Sequence, residues 1–423
     1  MPFSSASTAA RPPRSSSPSS SSRGGGRRRP GSQSRPARVA PTPVVTRAPQ
    51  PPVTSFAAAG LSPSLVTALA RRGVETPFPI QAAALRDALA GTDVLGRAAT
   101  GSGKTLAFGL ALLARVEGEP RVPRRPRALV LVPTRELAKQ VADVLIPLGQ
   151  AVNIRVTTVY GGAPLGRQID ALGRGVDVVV ATPGRLEDLL ERRSVSLDAI
   201  EVTVLDEADH LCDLGFLPAM RRLLALIPAG TQRMLFSATL DGDVDTLVRQ
   251  HLTEPVLVDV APLTQRADAT PVEHRIVAVR SREDKPSVAA GLVTGSDRAL
   301  LFVRTKHGAD RLALQLDRLG VHAKALHGGL AQHARTRALA AFTSGEHPVL
   351  VATDVAARGL HVDDVALVVH VDPPAEAKTF AHRSGRTGRA GAGGTVISLV
   401  LPDERRAVDA LHRDAGVVPV AAA

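Results

Sequence analysis

From residue 56 onward the chain alternates short, unbroken apolar runs with stretches of helical periodicity. The first series reads ALVLV (128–132), VDVVVA (176–181), VTVL (202–205) and MLFSA (234–238). A second follows with ALLFV (299–303), VLVAT (349–353), ALVVHV (366–371) and TVISLV (395–400). A strand with one wet face alternates apolar and polar residues. Continuous Val/Leu runs are what strands buried on both faces require, which means parallel sheets covered by helices. Between the runs, residues 106–114, 136–148 and 309–319 carry helical spacing, the last closed by Gly320. The pattern predicts an α/β chain of two doubly wound domains, 53–262 and 273–412. A linker at 263–272, around the aperiodic APLTQRADATP, joins them, and 413–423 is read as a short C-terminal tail.

Residues 1–52 break the pattern. They are Ser, Pro, Gly and Arg with few large apolar residues, too little to offset the entropy of ordering, and so predict a disordered arm. The arm holds nine arginines (Arg11, Arg14, Arg23, Arg27, Arg28, Arg29, Arg35, Arg38 and Arg47) and neither acid nor lysine. Removing those nine from the 52 basic residues leaves 43 against 40 acidic ones, so the formal net charge of +12 falls to +3. Attraction to polyanions therefore resides mainly in the arm, and is expected to be salt-sensitive and indifferent to base sequence. An RNA tether, a solubilising tail and an organelle-import peptide all suit such a terminus; its many prolines oppose the amphipathic helix of the last.

The remaining composition narrows the setting. A length of 423 residues suits two domains with an appendage, and a hydrophobic fraction of 44% is ordinary for a soluble protein. No run approaches the roughly 18 apolar residues of a membrane span. The first 30 residues contain no apolar signal core, so no membrane partner is expected. Cys212 is the only cysteine, which excludes an intramolecular disulfide and fits a reducing, cytoplasmic compartment. Use of Arg over Lys, with abundant Ala, points to a GC-rich, bacterial genome.

In open parallel sheets ligands bind beyond the carboxyl ends of the strands, and nearly every polar cluster here directly follows an apolar run. ATGSGKT (99–105) precedes a helical segment. Gly101 and Gly103 let backbone amides close around phosphate, and the helix adds the positive end of its dipole. Lys104 would reach the β/γ-phosphates and Thr105 would hold Mg2+. The generic pattern has Gly six residues before the lysine, where Ala98 stands. VTVLDEAD places Asp206 at a strand end to hold Mg2+, with Glu207 beside it as general base for water. About 280 residues beyond the P-loop, HRSGRTGR (382–389) offers Arg386 and Arg389 as arginine fingers for the γ-phosphate.

These clusters, in this order and spacing, resemble the DEAD-box RNA helicases of superfamily 2 across roughly residues 56–400. The resemblance implies two tandem RecA-like domains, each a parallel sheet flanked by helices, behind the basic tail. It implies ATP held by Thr100, Gly101, Ser102, Gly103, Lys104 and Thr105, with Phe56 stacking on adenine and Gln81 of PFPIQ (77–81) bonding its edge. Asp354 and His361 would join the interdomain ATP interface. Asp209, Ser237 and Thr239 of the SAT segment, and His382, would couple hydrolysis to unwinding. RNA contacts fall to Pro133, Thr134 and Arg135 of PTRELA, to Gly162, and to Thr182, Pro183, Gly184 and Arg185. In the second half they fall to Gly328 of HGGLAQHAR and to Thr353, Arg358 and Gly359 of TDVAARG. The implied activity is ATP hydrolysis on RNA binding, with local unwinding or remodelling and little sequence preference. Ribosomal or RNA-decay proteins are the partners such an enzyme would have.

Three positions depart from that family. Phe78 stands where Thr is usual, removing one hydrogen bond toward the P-loop, and Val74 replaces an aromatic. His361 replaces an Asp, and an imidazole there predicts a mild pH dependence of turnover between about 6 and 7.5. Nine Phe, one Tyr and no Trp favour gripping the backbone over stacking bases. Two rival readings are an ATP-gated RNA clamp or scaffold, and a DNA helicase of the same superfamily.

Overall fold

The computed structural model describes residues 46–98, 102–240, 242–260, 272–357, 365–388 and 393–421. Most of the basic arm, Thr100, Gly101, the linker as far as 271, Arg358, Gly359, His361 and Arg389 lie outside the described residues.

Among the described residues the strands form two seven-stranded sheets, parallel throughout. The first contains β1 (Val94–Arg97), β2 (Ala128–Leu131), β3 (Val156–Val159), β4 (Val178–Ala181), β5 (Val202–Asp206), β6 (Gln232–Ser237) and β7 (Val256–Asp259), in the order β3-β4-β2-β5-β6-β1-β7. Helices α1 (Pro63–Ala70), α2 (Pro79–Leu89), α3 (Lys104–Val116), α4 (Arg135–Ala151), α5 (Leu165–Gly173), α6 (Pro183–Glu191), α7 (Ala208–Asp213), α8 (Leu217–Ala225) and α9 (Gly242–His251) accompany it. The second contains β8 (Val272–Ala278), β9 (Ala299–Phe302), β10 (Ala323–Leu326), β11 (Val349–Ala352), β12 (Leu367–His370), β13 (Gly394–Val400) and β14 (Val420–Ala421), in the order β10-β11-β9-β12-β13-β8-β14. Its helices are α10 (Lys285–Val293), α11 (Lys306–Arg318), α12 (Gln332–Thr343), α13 (Asp354–Ala357), α14 (Ala377–Ser384) and α15 (Arg405–Asp414).

Successive side chains of a strand point to opposite faces, and each face has its own core. Val130, Val180 and Val204 join one apolar cluster, while Leu129, Leu131, Val179 and Leu205 join another. The second sheet divides likewise, with Leu301, Val351 and Val369 on one side and Leu300, Leu350 and Val368 on the other. Each such side chain contributes about 1.5–3 kcal/mol by leaving water, which is why the central strands are so largely apolar.

Three boundaries differ from the sequence expectation. The arm was placed as far as residue 52, yet residues 46–53 lie along the first domain. Arg47 donates its N–H to Pro255 (3.0 Å), accepts from Leu257 (3.3 Å) and pairs with Glu254. Gln50 donates to Asp87 and Val53 to the carbonyl of Ala82. The physical reason is an edge: β7 has unpaired backbone groups, and the buried Asp87 needs donors. At the other end, α15 runs to Asp414 and β14 pairs with β8, so the supposed tail at 413–423 belongs to the second domain as far as 421. The linker also ends one residue early, because Val272 opens β8.

Beneath α14 lies an unusual cluster. Phe380 is ringed by His370, His412 and His274, at centroid distances of 4.8, 4.9 and 5.7 Å. Five of their ring nitrogens have no hydrogen-bond partner. Burial pushes the imidazole of His274 down to about 4, with help from His412. Burial, then Arg383 and the other two histidines, holds His370 far below its ordinary range. Burial also lowers His412, against the pull of Asp409 and with a further push from Arg405. These groups stay neutral in the fold and take protons once it opens near pH 6.5. Their stabilisation is therefore complete above about pH 6.5 and is lost progressively toward pH 4. Unfolding of the second domain, followed between pH 7.5 and 5, should become steeply easier in acid. His370→Phe should flatten that dependence by up to about 1.4 kcal/mol per pH unit; an unchanged slope would contradict the account.

Candidate functional site

The strand order sorts the polar segments along one carboxyl edge. Those following β5, β6 and β1 gather on one side, and those following β3, β4 and β2 on the other.

On the first side, α3 starts at Lys104 behind Gly103, whose φ of 90° is left-handed. Its N-cap residue, a glycine, has no side chain with which to cap the helix. A Cβ at Gly103 would lie 2.6 Å from Gln81 Nε2 and 2.9 Å from the Phe78 ring, so glycine is required on two counts. Gln81 Nε2 donates to the Gly103 carbonyl (3.0 Å), and its Oε1 accepts from the Phe78 N–H (2.9 Å). The tie to the P-loop that Phe78 cannot make is thus made by Gln81. Gln81 is itself 1% exposed, whereas the Phe78 ring is 57% exposed at the rim. The expectation for Phe56 needs correction. Its ring is 2% exposed within the apolar core, because it anchors the segment before α1, and it has no face free for a base. Val74 packs against that same core. Ser102 Oγ is buried without a hydrogen-bond partner, an orphan that a phosphate oxygen would satisfy. Together with the uncapped helix and Lys104, these residues fit a polyphosphate.

β5, buried throughout, delivers Asp206. Lys104 Nζ lies 4.0 Å from Asp206 Oδ1, which also accepts the Glu207 N–H (3.0 Å). Glu207 adopts φ 52°, ψ 53°, a left-handed conformation costing a non-glycine residue roughly 1–3 kcal/mol and characteristic of functional turns. Burial pushes the Glu207 carboxyl up. The His210 hydrogen bond and the charges of Lys104, His210 and Arg386 more than offset this and hold it at about 2. Glu207 is therefore a carboxylate at neutral pH, able to accept a hydrogen bond from water. Asp209 bonds to the SAT segment twice: its N–H donates to Ser237 Oγ (3.2 Å), and Thr239 Oγ1 donates to its carboxylate (3.4 Å).

The second domain meets this cluster directly. His382 Nε2 lies 3.8 Å from Asp209 Oδ2, and Lys378 Nζ lies 3.3 Å from Asp213 Oδ1. Arg386, 5% exposed, is near enough to influence the Glu207 carboxyl. Asp354 is held within its own domain by Arg383, whose Nε and NH2 donate to its two oxygens at 2.5 and 2.7 Å. Arg383 also donates to the Asp372 carbonyl and lies 4.9 Å from the Phe302 ring centroid.

On the other side, Thr134 caps α4 by accepting from the Leu137 N–H (3.2 Å), leaving its hydroxyl proton available. Arg135 lies over Gly162, where a Cβ would come within 2.2 Å of its guanidinium; φ there is 83°. Arg185 donates to the Ala163 carbonyl (3.3 Å). Thr182 and Pro183 open α6 without a side-chain cap, and Gly184 beside them is exposed. Pro133 is buried behind Thr134. Across the cleft, Gly328 is exposed after β10 and Thr353 is 8% exposed after β11. Three residues without an assigned role join the halves here. Arg135 donates to Gln332 Oε1 (3.1 Å), while Gln332 (3.1 Å) and Arg335 (2.9 Å) donate to Glu136 Oε1. Glu136 and Arg335 sit inside the PTRELA and HGGLAQHAR segments, but only their opposite charges on helix-opening turns of different domains hinted at pairing.

A doubly wound pair of domains with a P-loop, a strand-end acid pair and a basic helix from the second domain defines a helicase core of tandem RecA-like domains. Residues 78–247 match the DEAD/DEAH box helicase family and residues 284–391 match the helicase conserved C-terminal domain. The chain belongs to the DEAD-box helicase family. It is 40% identical over 363 residues to DEAD-box ATP-dependent RNA helicase 9, mitochondrial, of Arabidopsis thaliana, an alignment covering 84% of this chain and 59% of that protein. It is 43% identical over 354 residues to the ATP-dependent RNA helicase RhlB of Xanthomonas oryzae pv. oryzae, covering 82% and 61%. The chain thus spans less than two thirds of the length of these curated relatives. The structure of S. cerevisiae Dbp5 bound to RNA and ADP BeF3 superimposes with a TM-score of 0.76 at 29% identity, covering 87% of this chain and 96% of that one.

Removing one partner of the Glu136–Arg335 pair would leave a buried, uncompensated charge, a loss of about 3–5 kcal/mol in comparable pairs. Glu136→Ala should therefore loosen the docking of the two domains, seen as an increased radius of gyration in solution scattering. Nucleotide affinity of the first domain should be retained. Unaltered scattering would rule out a docking role for this pair.

Proposed function

We propose that the chain is an RNA-stimulated ATPase that locally unwinds or remodels RNA. The observation that carries this reading is the meeting of Lys104, Asp206 and Glu207 of one domain with the basic helix of the other, whose His382 Nε2 lies 3.8 Å from Asp209 Oδ2. Each domain alone presents half of that constellation, so ligands that bind both halves favour the docked arrangement.

The α3 N-terminus and Lys104 bind the phosphates, and Gln81 fixes the loop that surrounds them. Glu207 orients water and takes its proton. Arg386, and by resemblance Arg389, supplies positive charge to the γ-phosphate as its bond loosens. Thr105 and Asp206 would hold Mg2+, which would add positive charge beside the phosphates. Asp209, with Ser237 and Thr239 behind it and His382 before it, connects the acid cluster to the domain junction. Thr134, Arg135, Arg185 and the uncapped start of α6 suit a sugar-phosphate backbone, which gives little sequence preference and a means to sense 2′-hydroxyls. Support comes from relatives named as RNA helicases and from the yeast structure that contains RNA with ADP BeF3.

The cytoplasmic and bacterial assignments rest on composition alone, and one relative carries a mitochondrial name. No helix among the described residues is long and apolar enough to cross a membrane. Ribosomal or RNA-decay proteins remain the proposed partners.

Turnover of ATP by the purified chain should rise on adding RNA and stay low with DNA of equal length. Glu207→Gln should keep ATP and RNA binding while abolishing turnover, and Arg386→Ala should slow hydrolysis about 10³-fold. Full activity in either variant would overturn the role given to that residue, and no stimulation by RNA, or equal stimulation by DNA, would overturn the reading. Removing residues 1–44 leaves the strap at 46–53 in place and should flatten the salt dependence of RNA affinity; an unaltered slope would remove the tether.

A further inference from the structure

We propose that His210 is a positioning residue for the hydrolytic carboxylate: its imidazole holds one oxygen of Glu207 so that the other faces water. The inference rests on the ATPase reading above and concerns a residue just beyond the DEAD motif.

His210 lies on α7, one turn after Glu207, and is 3% exposed. Its Nδ1 is 3.4 Å from Glu207 Oε2, while its Nε2 is buried with no hydrogen-bond partner. A carboxylate can only accept, so the Nδ1 that faces it carries a proton, while Nε2 stays buried without a partner. A site that needed only volume would be filled by Leu or Phe without that desolvation penalty. The unpaired nitrogen is tolerated, and the paired one is what the site uses.

Competition for Glu207 explains why such a donor is needed. Lys104 and Arg386 both act on this carboxylate, and both are assigned to phosphates. Left alone, Glu207 would turn toward either cation, spoiling its own aim and neutralising theirs. A donor fixed one helical turn along α7 restrains the carboxylate from its own domain. The backbone makes that hold firm. Glu207 is fixed in its left-handed turn with its N–H on Asp206, and the His210 N–H donates to Asp209 Oδ1 at 2.9 Å. The contact is longer than most hydrogen bonds, and catalytic contacts of this kind tighten when the substrate completes the site.

The experiment compares His210→Phe, His210→Asn and His210→Gln in the full chain at saturating RNA. Loss of a supporting donor at a catalytic group lowers activity by about 10–100-fold. His210→Phe should show that loss in kcat with KM for ATP and RNA affinity within about twofold of the parent. An amide N–H at the same place, in Asn or Gln, should restore most of it. Should His210→Phe misfold, His210→Leu takes its place. The inference fails if the apolar variant keeps full kcat, if the loss appears in KM, or if neither amide rescues. Absence of RNA-stimulated turnover in the parent chain would instead defeat the ATPase reading.

Discussion

A strand buried on both faces is filled almost wholly by apolar side chains, and that constraint shapes the whole molecule. Chemistry is forced to the ends of the strands, where the chain escapes the core and backbone N–H groups open the following helix. β5 shows the transition in two residues. Leu205 belongs to the apolar core, while Asp206 lies within reach of Lys104, and the left-handed Glu207 turns the chain into α7. Each seven-stranded sheet therefore presents a line of polar turns along one edge, and the order of the strands decides which turns become neighbours.

Two such edges face each other, and the contacts between them are electrostatic and specific. Arg335 and Gln332 reach Glu136 on one side of the cleft; His382 and Lys378 approach Asp209 and Asp213 on the other. Paired charges at a junction hold geometry well but contribute little net stability once desolvation is counted. A junction built this way is suited to forming and dissolving with its ligands, unlike the apolar interiors on either side.

The sequence revealed the central strands because their burial leaves an uninterrupted apolar signature. It concealed those at the margins. β3 and β10 are edge strands with half-exposed positions, and β8 carries Glu273, His274 and Arg275 within its span. β1 is central yet was missed, since Gly96 replaces a core residue to make room for Phe236, whose ring would lie 2.4 Å from any Cβ there. The P-loop and acid cluster were readable from local motifs, because each acts through neighbours in sequence. The burial of Phe56, the bridge through Gln332 and the placement of His210 depend on residues far apart in the chain or on which way a side chain turns. No short pattern encodes them.

The forked contact of Arg383 with Asp354 gives the basic HRSGRTGR segment a division of labour. Two parallel hydrogen bonds and a flat face against Phe302 make Arg383 a brace that shapes its own domain, occupied before any phosphate arrives. A lysine, with a single point charge and no plane, can reproduce neither the fork nor the stacking. Arginine at this position is thus a geometric requirement of the scaffold, and the count of positive charges in the segment overstates how many of them are free to meet a ligand.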